Sequence, residues 1–439
     1  MVVFSERLKN PLVLSALAVS LFIYTGAVRL PEFNRVKTLF PENQITSFVG
    51  KISSNPVPVS SKKYYTISLD CLSCFSGDRA SSAKGNVKVL IPSEEVEALY
   101  PGHLFSLMQN ESIIYEKGTS LECSVFYIDD GLYVSKSVRP VKNESVGTES
   151  GCGSGICGGS KLGRSSFCAG GLNYVRAGSR LSFKRLMYSW KRAGSLVLSL
   201  LSGSREYLED GVSDSFRLAG LSHILALSGM HLAFFAGLAG GTGLKILGKR
   251  FSFWAKLSGI LFFVWFAGLS PSLYRALLCS LISLFLPAFY VKNPDQAVVL
   301  SAAFLIHAVT FPEDLFSPAF LLSYGALAGI LFISPFFNKY FVRILPQKTA
   351  SSFAASLGAQ AFTMPVSVFV FGSASPVGII SSVIVSPLIS LFFSLSVLSI
   401  IFSFVFPSLS FVPGYILNML YSAIMSVTET FAKFPSLTF

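Results

Sequence analysis

Apolar positions in this chain follow two regimes. After one apolar run at residues 11–30, long enough for a membrane-crossing helix, residues 31–142 carry only short β-prone runs, at 45–52, 64–69, 87–91, 104–108, 124–128 and 132–136. Turn residues such as Asn55-Pro56, Pro101-Gly102 and Asp129-Asp130-Gly131 separate them. That spacing predicts a small antiparallel barrel. Residues 143–174 are rich in Gly, Ser and Cys and read as a linker. At 175–201 the period becomes helical. Phe183, Leu186, Met187, Trp190 and Val197 recur on one side, with Lys184, Arg185, Lys191 and Arg192 turned away from them. This predicts a basic amphipathic helix lying on a membrane surface.

From residue 222 onward apolar runs crowd together, with spans expected near 222–244, 253–269, 273–291, 296–310, 315–336, 352–371, 377–406 and 411–432. The fold class is therefore a polytopic α-helical membrane protein of about eight spans over 202–439, preceded by a small β-barrel domain. No small-x-small cleavage site follows the first run at 29–32, so residues 1–30 read as an uncleaved anchor with its amino end in the cytoplasm. The barrel then lies outside. Lys245, Lys249, Arg250, Lys256, Lys292, Lys339, Arg343 and Lys348 fall inside, and Glu313 and Asp314 outside, as the positive-inside bias requires.

The most informative stretch is LAGLSHILALSGMHLAFF at 218–235. It is apolar, yet it holds His223, Ser228 and His231 and is interrupted by Gly220 and Gly229. Such groups need protein or water partners at membrane depth. A continuous helix puts the two histidines within about 80° of each other. A break frees backbone groups, which are tolerated only on protein or in a cavity. Two histidines that merely join helices remain the alternative.

The segment SHILALSGMHLAFF resembles the signature of the competence domain of the ComEC family, polytopic inner-membrane proteins that carry transforming DNA into bacterial cells. LSLLSGSR at 198–205, GLSPSLYRA at 268–276, DLFSPAFLLSYG at 314–325, GAQAFTMP at 358–365 and SSVIVSPL at 381–388 resemble further family pieces in the same order. The chain departs from the family in its short amino end and in Ser382, where asparagine is usual before Pro387. The resemblance implies a multi-pass protein of the bacterial inner membrane whose 31–142 domain is an extracytoplasmic OB-like barrel. It implies a channel for single-stranded DNA, with a path lined by His223, Ser228, His231, Arg275 and Gln360. Competence machinery follows as partners: a DNA receptor, a helicase or ATPase, and a separate nuclease. Pairing into a homodimer is compatible with it.

Composition agrees with a membrane protein: 51% hydrophobic residues, 13% charged, and 41 phenylalanines. The net charge of +12 suits an anionic partner, either nucleic acid or membrane lipid. No acidic residue stands between Glu149 and Glu206, where Arg176, Arg180, Lys184, Arg185, Lys191 and Arg192 are the expected contacts for DNA or lipid headgroups. Arg275 in an apolar run is functional by default; pairing with Asp295 or Glu313 is the alternative. His307 reads as a helix-packing residue. Tyr64, Tyr65, Phe105, Phe126 and Tyr133 are candidate stacking platforms on the barrel, with core filling expected for most.

Among the seven cysteines, Cys71-x-x-Cys74 lacks a second ligand pair, so disulfides or free thiols are expected ahead of zinc. The four histidines form no two-metal nuclease cluster, and no P-loop occurs. A channel without its own nuclease, cofactor or metal is the reading that follows. Ser228 with His231 also makes a minimal nucleophile–base pair, so an intramembrane serine hydrolase is the rival activity. A generic solute or lipid transporter is the third.

Overall fold

The computed structural model describes residues 10–25, 38–59, 63–77, 79–100, 115–129, 132–141, 165–204, 207–209, 211–225, 229–289, 294–434 and 437–438. It forms two compact units: Glu32–Ser189, and Met1–Pro31 together with Trp190–Phe439.

The described chain opens with α1 (Pro11–Tyr24), where proline takes the first position and the Asn10 side chain accepts from Leu12 N at 3.0 Å. The β unit follows, with β1 (Ser47–Ile52), β2 (Tyr64–Ser76), β3 (Asn86–Pro92), β4 (Ser120–Asp129) and β5 (Leu132–Pro140). They close into a ring in the order β1-β4-β5-β3-β2-β1, parallel only between β3 and β5. Alternation drives the closure. Ile67 and Leu69 on β2, Val87, Val89 and Ile91 on β3, and Phe48 and Ile52 on β1 all point inward and are fully buried. The register slips at Val49/Gly50, where a Cβ on Gly50 would stand 2.6 Å from the Asp70 carbonyl oxygen. Only glycine lets the strands come that close. The expected run at 104–108 lies outside the described residues.

The last element of this unit is α2 (Ser165–Ser189). Its first turns fall in the expected linker, and residues 143–164 lie outside the described set. The helix predicted over 175–201 is broken. After Trp190 the backbone turns at Lys191 (φ 54°) and α3 (Lys191–Ser202) begins. Every residue of α3 from Ala193 to Ser202 is buried, so this half does not lie on a surface. The sequence AGSLVLSLLS has no polar face wide enough to hold it there.

The helical unit continues with α4 (Val212–Leu218), α5 (Gly229–Leu247), α6 (Lys249–Ala267), α7 (Pro271–Phe285), α8 (Gln296–Thr310), α9 (Pro318–Phe332), α10 (Ser334–Phe341), α11 (Gln347–Phe371), α12 (Gly378–Val405) and α13 (Phe411–Ala432). Ser270, Asp295 and Ser317 cap α7, α8 and α9 through side-chain oxygens. Close crossings use glycine pairs. A Cβ on Gly358 of α11 would meet the Gly329 carbonyl of α9 at 2.7 Å.

Among the described residues, three helices are long and apolar enough to cross a membrane: Gln347–Phe371, Gly378–Val405 and Pro407–Ala432. The pair α9 and α10, bent by 49°, would add a fourth as one broken span. Pro11–Leu21, Phe251–Ala267, Pro271–Phe285 and Gln296–Thr310 are shorter apolar helices. Their outer faces carry exposed apolar side chains, with Phe369 92% exposed and Val309 83%. Such a surface suits lipid and not water.

Candidate functional site

The signature segment is not one helix. α4 ends at Leu218, Gly220 turns left-handed at φ 73°, and residues Ser222–Leu225 run as turn before α5 begins at Gly229. The break, and not the continuous helix, is what the structure contains. Its freed Ala219 carbonyl is answered from α12, where Ser381 Oγ donates to it at 2.6 Å, and Ser375, in the turn before α12, donates through Oγ to the Arg217 carbonyl at 3.4 Å. A Cβ on Gly220 would stand 2.6 Å from Gly378 Cα, and the Gln360 amide nitrogen occupies the space a Gly378 side chain would need. Gln360 of α11 thus stands beside the Gly220–Gly378 contact.

The two signature histidines differ in setting. His223 lies in the turn and is exposed. His231, two residues into α5, is wholly buried with its ring 4.6 Å from that of Phe393 on α12. Ser228 lies outside the described residues, and with it the serine–histidine pairing. A Cβ on Gly229 of α5 would stand 3.6 Å from Ala276 Cβ of α7, the residue after Arg275.

Arg275 sits one turn into α7, half-buried. Its Nη1 donates to the Ser323 carbonyl at 2.5 Å, and its guanidinium carbon stands 6.0 Å from the Tyr324 ring centre. Its partner is a backbone oxygen of α9, and neither Asp295 nor Glu313. Arg275 Nε is buried without a hydrogen bond among the described residues. Behind Tyr324 stands His307, wholly buried as expected of a packing residue, but bonded at both nitrogens. Nδ1 lies 3.2 Å from the Tyr324 hydroxyl and Nε2 3.2 Å from Asp314 Oδ2. The rings of Tyr274 and Phe320 close on it edge-on at 4.8 and 4.9 Å. Sequence reading missed Tyr324 and Asp314 as partners. Their signal was present, since both lie in the DLFSPAFLLSYG segment and Asp314 follows His307 by seven residues.

The basic stretch requires a correction. Arg180 and Lys184 do not face outward. Arg180 Nε lies 2.8 Å from Glu116 Oε2, Lys184 Nζ pairs with Glu116 Oε1, and all three side chains are at most 2% exposed. Lys184 Nζ also stands 5.8 Å over the Tyr100 ring. Arg185 Nε donates to the Leu99 carbonyl at 3.1 Å, so α2 is strapped to its own β unit. Burial, and after it the neighbouring Arg180 charge, pull Arg176 down to about 10. Lys191 is exposed, and Arg192 forms an exposed pair with Glu209 at 2.7 Å.

On the barrel, Tyr65 and Tyr133 fill the core. Tyr64 and Phe126 are exposed, and Lys136 Nζ stands 5.3 Å over the Phe126 ring. Phe105 lies outside the described residues. Cys71, Cys74 and Cys123 are free, buried thiols, and burial pushes Cys71 and Cys123 up to about 12.

A family model described as Competence protein matches residues 200–439. The chain is 26% identical over 199 residues to ComE operon protein 3 of Bacillus subtilis (strain 168), covering 44% of this chain and 24% of that one. It is also 26% identical over 215 residues to Uncharacterized protein YcaI of Escherichia coli (strain K12), covering 46% and 28% respectively. The chain thus spans about a quarter of the length of these curated relatives. No solved structure gives a significant match.

Proposed function

Because the chain belongs to the Competence protein family, we propose that it is a multi-pass protein of the bacterial inner membrane that passes single-stranded DNA toward the cytoplasm. The observation that carries this reading is Arg275. A guanidinium in an apolar helix is expensive, and here a single backbone carbonyl and a tyrosine face hold it, with Nε left over. Its planar fork suits the oxygens of a passing phosphodiester. Gln360, beside the Gly220–Gly378 contact, and His231, packed on Phe393 of α12, are the further polar groups of the proposed path.

The β unit is the extracytoplasmic, OB-like part of the proposal. Its exposed Phe126 with Lys136 offers a face and a charge for a stacked base. Lys191 and Arg192 are the outward cations of the basic stretch, for lipid headgroups or DNA. Energy and strand degradation come from partner proteins in this scheme.

Binding of fluorescent oligonucleotides to the detergent-purified chain tests it. Affinity for single strands should be sequence-blind and fall with salt, with a log–log slope of about −0.7 for each phosphate neutralised. Salt-independent binding, or none, would remove the DNA reading in favour of a transporter of other solutes.

A further inference from the structure

We propose that α10 and the turn after it form a docking surface for anionic phospholipids of the cytoplasmic leaflet, held by Lys339, Arg343 and Lys348. The inference rests on the membrane placement proposed above and is independent of the cargo. It begins with charge. Residues 315–428 hold these three cations and no acidic residue. All three are exposed, and none forms an ion pair among the described residues. Three unanswered cations within positions 339–348 call for anions from outside the chain.

The helix is two-faced. Phe341 lies toward α11, its ring 6.3 Å from that of Phe353, and stacks with Phe337 at 6.4 Å. The other face carries Phe336, Lys339 and Tyr340. Amide hydrogen bonds from Val342, Arg343, Ile344 and Leu345 wind the chain on past Phe341, so Arg343 and Ile344 join that face at helical spacing. Phe336, Tyr340 and Ile344 are 54%, 53% and 82% exposed, and the first two rings stand 5.3 Å apart. Apolar groups interleaved with lysine and arginine suit a bilayer interface. Rings and stems enter the acyl boundary while the charged ends reach lipid phosphates. A nucleic acid would answer the cations but leave Ile344 in water.

Depth agrees. α9 has 15 residues and rises about 22 Å along its axis, short of the roughly 30 Å hydrocarbon core. The 8 residues of α10, about 12 Å long, lean away by 49° and add about 8 Å in the direction of α9. With α9 along the bilayer normal, the pair reaches headgroup level at the end of α10, between Lys339 and Arg343. At its other end stand Glu313 and Asp314, so charge runs from negative to positive, as in a span entering the cytoplasm.

The full-length chain in nanodiscs containing phosphatidylglycerol with a photoreactive headgroup tests the placement without any variant. Peptide mass spectrometry should find label within residues 336–348. Label confined to other cations, such as the exposed Lys191 and Arg192, would overturn the proposal. Native mass spectrometry of the detergent-purified chain then compares phosphatidylglycerol with phosphatidylcholine of the same acyl chains. The wild-type chain should prefer the anionic lipid, and the combined exposed-site variant Lys339→Gln, Arg343→Gln and Lys348→Gln should lower that preference at least about fivefold. An unchanged preference would overturn the proposal, as would displacement of the lipid by single-stranded DNA, which would give the surface to nucleic acid. Flotation separates the two failures. A wild-type chain that does not float with reconstituted vesicles fails at the membrane placement, whereas one that floats while the variant keeps its preference fails here alone.

Discussion

Glu116 shows how one side chain settles the direction of a helix. Burial alone raises its carboxyl, but the charges of Arg180 and Lys184 outweigh that and hold it below its ordinary value of 4.5. A lowered carboxyl contributes stability above its unfolded value and loses it as pH falls through the folded one. The β unit of the full-length chain should therefore soften in acid below about pH 4.5, followed by circular dichroism on heating. Glu116→Gln should remove that acid dependence and cost about 3–5 kcal/mol at neutral pH, because two cations stay buried with no counter-charge. A second residue-scale expectation concerns the thiols. With Cys71 and Cys123 raised to about 12 by burial, roughly one in ten thousand is ionised at pH 8. Maleimide should leave both unlabelled in the native chain and label both after denaturation, as peptide mass spectrometry would show. Nothing in residues 175–201 could have revealed the Glu116 contact. Periodicity tells which residues share a face, but not that a carboxylate 64 positions before Arg180 will cover the charged one.

At the scale of elements, the break between α2 and α3 is sustained from elsewhere in the fold. Asn418 of α13 donates to the Trp190 carbonyl at 2.9 Å and accepts from Ala193 N at 3.0 Å, replacing hydrogen bonds a continuous helix would have made. Trp190 Nε1 adds a bond to the Ser410 carbonyl at 2.8 Å. Asn418→Ala should cost about 1–3 kcal/mol by leaving buried backbone groups unmet, read as a lower melting temperature of the purified protein in detergent. Asn418→Ser, which keeps one partner, should recover part of the loss. That break was not legible, since the residue enabling it lies 228 positions away from Trp190. The other break was legible. Gly220 and Gly229 marked the signature as an interrupted segment, and the left-handed turn at Gly220 and the start of α5 fall on them. The helices at 296–310 and 411–432 were read to the residue because their apolar runs end in capping or turn residues.

For the whole molecule, the division into a barrel and a helical unit was visible in the change of hydrophobic period, and the family in the order of its short motifs. The polar network was not. A guanidinium, a phenol, an imidazole and a carboxylate drawn from α7, α9, α8 and the Pro312–Phe316 turn are brought together only by folding. Arg275 is where the family reading and the geometry meet, so the decisive measurement is DNA uptake. Cells lacking this gene are given fluorescent DNA and complemented with either the wild-type chain or Arg275→Ala at equal membrane abundance. The account predicts that the wild-type chain restores cytoplasmic DNA and that the variant loses at least about tenfold, as for a lost charged hydrogen bond of 1.5–3 kcal/mol. Equal restoration by both would contradict a DNA path past Arg275, and uptake independent of the gene would contradict the channel itself.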